Sequence, residues 1–274
     1  MIEARVFPRR TRATPTDSLA FIGEPPLFVP EIDRVSVSCL FTWDRPEAER
    51  LARAWSRIAP VEIGGPAFDS KAQEFTPGRF VAEGYTITSR GCPNRCWFCA
   101  VPRREGAIRE LPIHDGWNVL DSNLLACSDS HVRDVFSMLR RQRRSPEFTG
   151  GLEAARFQKW HAEALRELKP KQLFFANDTP NDRDPLYAAG EMLLAAGFTT
   201  TSHALRAYVL CGFPGDTFSK AENRMADTIG AGFIPMAMLY RDDTGMVPDI
   251  EWRRFQRSWA RPAIISAKMQ EVAA

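Results

Sequence analysis

From residue 83 onward the chain alternates short β-branched and aromatic runs with longer helical ones, and that alternation restricts it to an α/β fold built on a parallel sheet. Strand-like runs fall at 83–88, 118–120, 147–149, 172–176, 205–210 and 234–239, and helical runs at 131–143, 151–168, 185–196 and 219–231. Six units then occupy roughly 160 residues, near the ~30 residues of one βαβ unit apiece and short of the ~250 residues of a closed eight-fold barrel. In parallel α/β architectures of the barrel kind the chemistry sits at the C-terminal ends of the strands, so strand-end residues are the first suspects.

Directly after the first run come Cys92, Cys96, Phe98 and Cys99, with the cysteines at spacing C-x3-C-x2-C. Thiolates are soft ligands that favour iron–sulfur clusters or zinc. A structural zinc site wants four ligands, often as paired C-x2-C elements; here there is one pair, and His114 and His131 lie too far along the chain to be assigned to it. A thioredoxin-like C-x-x-C has no use for Cys92. A 4Fe-4S cluster normally takes four protein thiolates. No fourth cysteine lies near this loop, which would leave one iron open to a small molecule.

With Phe98 in the aromatic position of C-x3-C-x-aromatic-C, the segment resembles the signature of the radical S-adenosylmethionine (SAM) superfamily. The resemblance implies a 4Fe-4S cluster held by Cys92, Cys96 and Cys99, with the open iron chelating the amino and carboxylate groups of SAM. An electron from the cluster then breaks the sulfur–C5′ bond, releasing methionine and a 5′-deoxyadenosyl radical that abstracts hydrogen from a substrate. It also implies an open, partial (β/α)6 barrel, placed here over residues 81–245, and a reducing partner such as flavodoxin or ferredoxin. A non-enzymatic iron–sulfur carrier or a zinc-stabilised binding module is the competing class.

The strand ends supply candidates for the cofactor. The second run ends in Asp121, Ser122 and Asn123, where the family places polar or acidic side chains against the amino group of SAM. The third ends in Gly150 and Gly151, which let backbone approach a ligand closely. The fourth ends in Asn177 and Asp178, suited to ribose hydroxyls. The fifth contains Arg206, a candidate for SAM's carboxylate, and leads through Gly212 into Gly-Phe-Pro-Gly-Asp-Thr, similar to a Gly-Phe-Pro-Gly-Glu-Thr segment in cobalamin-type members. Asp216 and Thr217 are alternatively a cap for the next helix. No catalytic side chain is assigned.

Residues 1–80 read as an appendage. A strand at 34–42, a helix at 46–58 with apolar residues at Ala48, Leu51, Ala52, Trp55 and Ile58, and a strand from Val61 to a glycine turn make a β-α-β half-unit. It is similar over about 35 residues to the end of the cobalamin-binding Rossmann domain that precedes the barrel in some radical SAM enzymes. The D-x-H-x-x-G element is missing, so no cobalamin is expected. Residues 246–274 read as a C-terminal helical extension.

The chain's 274 residues, 44% of them hydrophobic, suit one large domain or one domain with an appendage. There is no apolar run long enough to cross a bilayer and no signal-peptide core after Met1, so no membrane association is expected. Cys39, Cys127 and Cys211 are scattered, which argues against a disulfide framework and fits a reducing cytoplasmic location. Isolated cysteines read as small buried apolar residues, His203 as structural, and the tryptophans at 43, 55, 117, 160, 252 and 259 as packing groups. The 36 basic residues include only six lysines. Arginines group at 5, 9, 10 and 12, at 133, 140, 141, 143 and 144, and at 253, 254, 257 and 261. A solvated helix end is the plain reading of Arg140, Arg141, Arg143 and Arg144; the sharper one is phosphate binding along a nucleic-acid backbone. A nucleic-acid base or nucleotide is thus the leading substrate, and acting on it would need a flipped or single-stranded residue. Small-molecule or cofactor biosynthesis and peptide modification follow, and the outcome of hydrogen abstraction is open because the cofactor carries the difficult chemistry.

Overall fold

The computed structural model describes residues 1–70, 74–242, 247–260, 264–265 and 267. Its first sheet is formed by β1 (Glu3–Phe7), β2 (Ala20–Ile22), β3 (Arg34–Ser38) and β4 (Val61–Gly64), with α1 (Arg45–Trp55) between the last two. All four strands run parallel in the order β2-β1-β3-β4. Helix α1 has Pro46 in its first turn, where the missing N–H costs nothing, and buries Ala48, Leu51 and Trp55. They pack on Ala4, Val6, Val35 and Val37 of the sheet. The Trp55 indole N–H donates to Gly23 O at 3.0 Å. The expected β-α-β half-unit is therefore larger than its sequence pattern: β1 and β2 complete a four-stranded sheet. They were missed because β1 carries charges at Glu3 and Arg5, and β2 is only three residues long.

The second sheet begins with β5 (Tyr85–Thr86). A two-stranded antiparallel pair, β6 (Ser89–Arg90) with β7 (Arg109–Glu110), follows, enclosing the cysteines and a short helix α2 (Val101–Glu105). Then come β8 (Asn118–Val119), α3 (Asp129–Arg140), β9 (Glu147–Phe148), α4 (Lys159–Leu168), β10 (Gln172–Ala176), α5 (Arg183–Ala195), β11 (Leu205–Cys211), α6 (Phe218–Gly230), β12 (Ile234–Leu239) and α7 (Ile250–Trp259). β5, β8, β9, β10, β11 and β12 pair in parallel in strict sequence order. The helical run expected at 151–168 starts only at Lys159, because Gln158 accepts a bond from the His161 amide while the His161 ring accepts from the Gln158 amide, a cap that fixes the start. Ser128 and Thr217 cap α3 and α6 by one-way bonds, their hydroxyls accepting from the His131 and Lys220 amides. Of the C-terminal extension, α7 lies within the described residues, as do 264–265 and 267; the rest of 246–274, except 247–249 and 260, falls outside them.

Phe136 and Leu139 of α3, Leu165 of α4, and Leu186 and Leu193 of α5 pack on Phe148, Leu173 and Phe175 of the sheet. Burial alternates along β11: Leu205, Ala207, Val209 and Cys211 are buried, while Arg206, Tyr208 and Leu210 are half-buried on the other face. The register sets Tyr208 beside Ala176 and Met236 on that second face. The two sheets meet at their C-terminal ends. Asp69, just beyond β4, accepts from Arg103 Nη2 at 3.3 Å, and the Arg241 guanidinium, beyond β12, lies 4.0 Å from the Trp43 ring centroid.

Candidate functional site

The loop carrying Cys92, Cys96 and Cys99 leaves the C-terminal end of β5 and is clamped at its base. β6 and β7 pair Ser89 with Glu110 and Arg90 with Arg109. Gly91 (φ +90°) lies so close to Ala107 that a Cβ there would fall 2.2 Å from the Ala107 carbonyl oxygen, so only glycine fits. Glu105, buried at the end of α2, accepts from the Gly91 amide at 3.0 Å, from Arg104 Nη2 at 2.8 Å and from Ser122 Oγ at 3.2 Å. Burial opposes its ionisation, but the Arg104 guanidinium, the Gly91 amide and Arg90 outweigh it and hold the carboxyl below its usual range. One carboxylate thus ties both ends of the cysteine loop to the residue beside Asn123.

Within the loop the Cys92 amide donates to Gly106 O at 3.1 Å and the Cys99 amide to Cys96 O at 3.0 Å. Cys96 is exposed, and Cys92 and Cys99 are half-buried. Burial pushes the Cys96 and Cys99 thiols up, and the neighbouring cysteine sulfurs push the same way. Among the described residues, no three His, Cys, Asp or Glu side chains converge as a group that could hold a metal ion.

Asn123, at the end of β8, reaches the loop directly. Its amide Nδ2 lies 3.4 Å from Cys92 Sγ and donates to Glu153 Oε2 at 2.6 Å, while its Oδ1 is buried with no partner. Asp121 is spent differently. Its carboxylate accepts from the Thr88 amide at 2.6 Å, Thr88 Oγ1 at 2.7 Å and Ser89 Oγ at 2.6 Å, tying β8 to the strand that feeds the cysteine loop. Burial raises its pKa against those bonds. Gly150 permits the same junction: a Cβ there would meet Asp121 O at 2.3 Å. Gly151 follows it in the loop toward Glu153, which also holds Arg156 Nε at 2.7 Å.

Asp178 lies at the end of β10, near enough to Cys96 and Cys99 to raise both. Burial pushes its own carboxyl up to about 6, against a 2.7 Å bond from the Leu210 amide. Phe98 stands edge-on to Trp97, ring centroids 5.4 Å apart. Gly212 donates its amide to Asp216, which also pairs with Arg224 at 2.8 Å. These residues, with Asn123, gather at the C-terminal rim of the sheet.

Asn177 and Arg206 do not join them. Asn177 faces the helix layer and donates to Arg224 O at 3.1 Å and Thr228 Oγ1 at 3.0 Å, both on α6. Arg206 sits one residue into β11, near the opposite end, and bonds His203 O at 3.3 Å. Arg140, Arg141, Arg143 and Arg144 precede β9 and so also lie at that opposite, N-terminal rim. Arg140 pairs with Glu167 at 2.9 Å, Arg141 bonds Ser137 O at 3.2 Å, and Arg144 lies 4.3 Å from the Trp117 ring centroid. A bowl of about 490 Å³ lined by Arg12, Tyr85, Trp117, Arg144, Glu147 and Lys171 marks this rim. Cys211 is buried in the α6 side of the core, its thiol pushed up to about 12 by burial, and burial likewise pushes Cys127 up to about 11.

Sequence reasoning missed Glu105, Glu153, Trp97 and Tyr208. Trp97 stood between two of the cysteines, and Glu153 stood two residues beyond the Gly-Gly pair; nothing local marked Glu105. Tyr208 stacks on Phe174 at 4.5 Å and donates to Thr149 O at 3.1 Å, a role set by strand register alone. No protein-family model matches this chain, and no curated protein matches it.

Proposed function

We propose that this chain is a radical SAM enzyme, with Cys92, Cys96 and Cys99 holding a 4Fe-4S cluster. The observation that carries the reading is the placement of a C-x3-C-x2-C loop on the C-terminal rim of a parallel sheet whose six strands follow one another in sequence order. Strict order means that every crossover steps the same way. Right-handed crossovers then put the helices on one face, and a sheet so covered curls with its twist, the arrangement of a partial (β/α)6 barrel. In such a barrel Arg206, Tyr208 and Leu210, half-buried on the other face of β11 from its buried core residues, would line the inside.

The donor set fits such a cluster. Cys92, Cys96 and Cys99 put three soft thiol donors within eight positions of one loop, the ligand type that iron–sulfur clusters take. When bound, the cluster and SAM supply a 5′-deoxyadenosyl radical that takes hydrogen from a substrate. The chain's own part is to bind and orient. Asn123 Oδ1, buried and without a donor, is placed to accept from the ammonium group of SAM, with Glu153 beside it to balance the charge. Asp178 flanks the loop as a second acceptor, and Glu105 holds the loop's two ends together. An external reductant such as flavodoxin or ferredoxin supplies the electron.

The test is direct. Protein reconstituted anaerobically and reduced with dithionite is expected to hold about four irons per chain and to convert SAM to 5′-deoxyadenosine. Stoichiometric zinc with no capacity for iron, or iron-loaded protein that leaves SAM intact, overturns the reading.

A further inference from the structure

Along the rim that bears the cysteines, aromatic rings and guanidinium groups form two contacting groups that meet through the backbone at Tyr240 and Arg241. Arg9 lies 6.0 Å from the Phe41 ring, and Phe41 stacks on Trp43 at 4.6 Å with planes 11° apart. Arg241 lies 4.0 Å from Trp43, and its chain neighbour Tyr240 is 5.5 Å from Trp97. Trp97 in turn is 5.5 Å from Phe213, which carries Arg224 at 5.1 Å. The file starts on the first sheet, crosses beyond the end of β12 to Trp97 in the cysteine loop, and ends at Phe213, past β11, and Arg224 of α6.

Trp97 is 60% exposed although it sits between Cys96 and Cys99. Leu40, beside Phe41, is 53% exposed. Exposing a large ring at the mouth of a candidate site forfeits the burial that would stabilise it, so something else uses that face. Arg95 and Arg241 make no ion pair among the described residues. Arg9 and Arg224 are paired with Asp44 and Asp216, so it is the exposed ring of Trp97, with the guanidinium groups of Arg95 and Arg241, that suits a stacked base joined by phosphates. A duplex keeps its base faces covered, whereas a single strand presents them.

We propose that this ring-and-arginine file binds single-stranded nucleic acid, with one base stacked on Trp97. Resting on the radical SAM reading, this makes a nucleotide of that strand the substrate, delivered beside the cysteine loop. The arginines at 140–144 take no part, since they lie on the opposite rim. The file spans more stations than one nucleotide covers, which favours an oligonucleotide over a free nucleotide.

The binding is measurable without iron or SAM, on the full chain, by fluorescence anisotropy of labelled oligo(dT) and oligo(rU) 12-mers across a salt series. Affinity is expected to fall with salt at a log–log slope of about 0.7 per phosphate contacted. Trp97→Ala should weaken binding about tenfold with the slope unchanged, and Trp97→Phe should restore most of it. Arg95→Glu and Arg241→Glu should each lower the slope, and Arg144→Glu should not alter binding. Because Arg241 also packs on Trp43, the exposed Arg95 carries the charge test should Arg241→Glu prove unstable. Binding equal in Trp97→Ala and wild type, tighter binding to duplex, or full competition by a mononucleotide at the same concentration overturns the proposal. Iron loading measured in parallel separates the two readings: oligonucleotide binding by protein that takes no iron sinks the radical reading alone, and iron-loaded protein that cleaves SAM but binds no strand sinks this one alone.

Discussion

The two rims of the six-stranded sheet carry comparable stocks of reactive side chains and spend them in opposite ways. At the N-terminal rim, Arg140, Arg141, Arg144 and Lys171 are exposed and settle on Glu167, a helix carbonyl, a tryptophan ring and Glu147. Such surface contacts contribute about 0–1 kcal/mol each. At the C-terminal rim, Asp121 is 1% exposed, Asn123 4% and Glu105 5%. Buried groups of this kind are costly unless bonded, and they are bonded to the residues that aim the cysteine loop. One of them, Asn123, still keeps an acceptor unused. A dense group of charges therefore says little by itself. What distinguishes a site is burial whose expense is met by positioning, with something left over for a ligand.

The comparison breaks most sharply on iron. Replacing Cys92, Cys96 or Cys99 by alanine should abolish stable iron binding and SAM cleavage. Cys211→Ala and Arg141→Ala should leave iron content, measured after anaerobic reconstitution, at the wild-type value. Iron retained in all three loop variants would remove the C-terminal rim's claim to be the site.

Stability comes next. Asp121→Ala strands the Thr88 amide and two hydroxyls in the interior and should cost about 2–4 kcal/mol. Arg144→Ala should cost less than about 1 kcal/mol. Urea midpoints of the two variants decide it, and equal losses would erase the contrast between the rims.

Asn123→Ala sharpens the comparison at constant fold. Losing one acceptor for a charged ammonium group should weaken SAM binding about 10- to 150-fold, read by equilibrium dialysis on protein matched for iron. Unchanged affinity would mean that Asn123 serves only to hold Cys92 and Glu153.

The smallest expected effect concerns pH. Asp178 has its carboxyl raised by burial to about 6, so its contribution to stability is fully present below the unfolded value of about 3.9 and is lost as pH rises through about 6. Asp178→Asn keeps an oxygen for the Leu210 amide and removes the charge. Its melting temperature relative to wild type should rise between pH 4 and pH 7, and a constant difference across that range would show that burial does not govern this carboxyl.

Local pattern made the second sheet legible. Six strand runs and four helices were visible because periodicity and capping residues such as Thr217 act over a few neighbours. The cysteine loop was visible for the same reason, as its donors lie within eight positions. β1 and β2 were not, since β1, with its charges at Glu3 and Arg5, and the three-residue β2 become strands only by pairing, β1 with β3 and β2 with β1. Asn177 reads like a strand-end ligand, and the alternation of β10 turns it toward α6 instead. The arginines at 140–144 read like a phosphate site, and their position ahead of β9 sends them to the far rim. Glu105 could not be found at all, because its partners Gly91 and Ser122 stand 14 and 17 positions away. The sequence by itself determined an α/β parallel architecture and one loop of three soft ligands. Only the tertiary structure decided which polar groups face that loop, because side-chain direction in a strand alternates residue by residue and the bonds that orient a buried group come from elements distant in the chain.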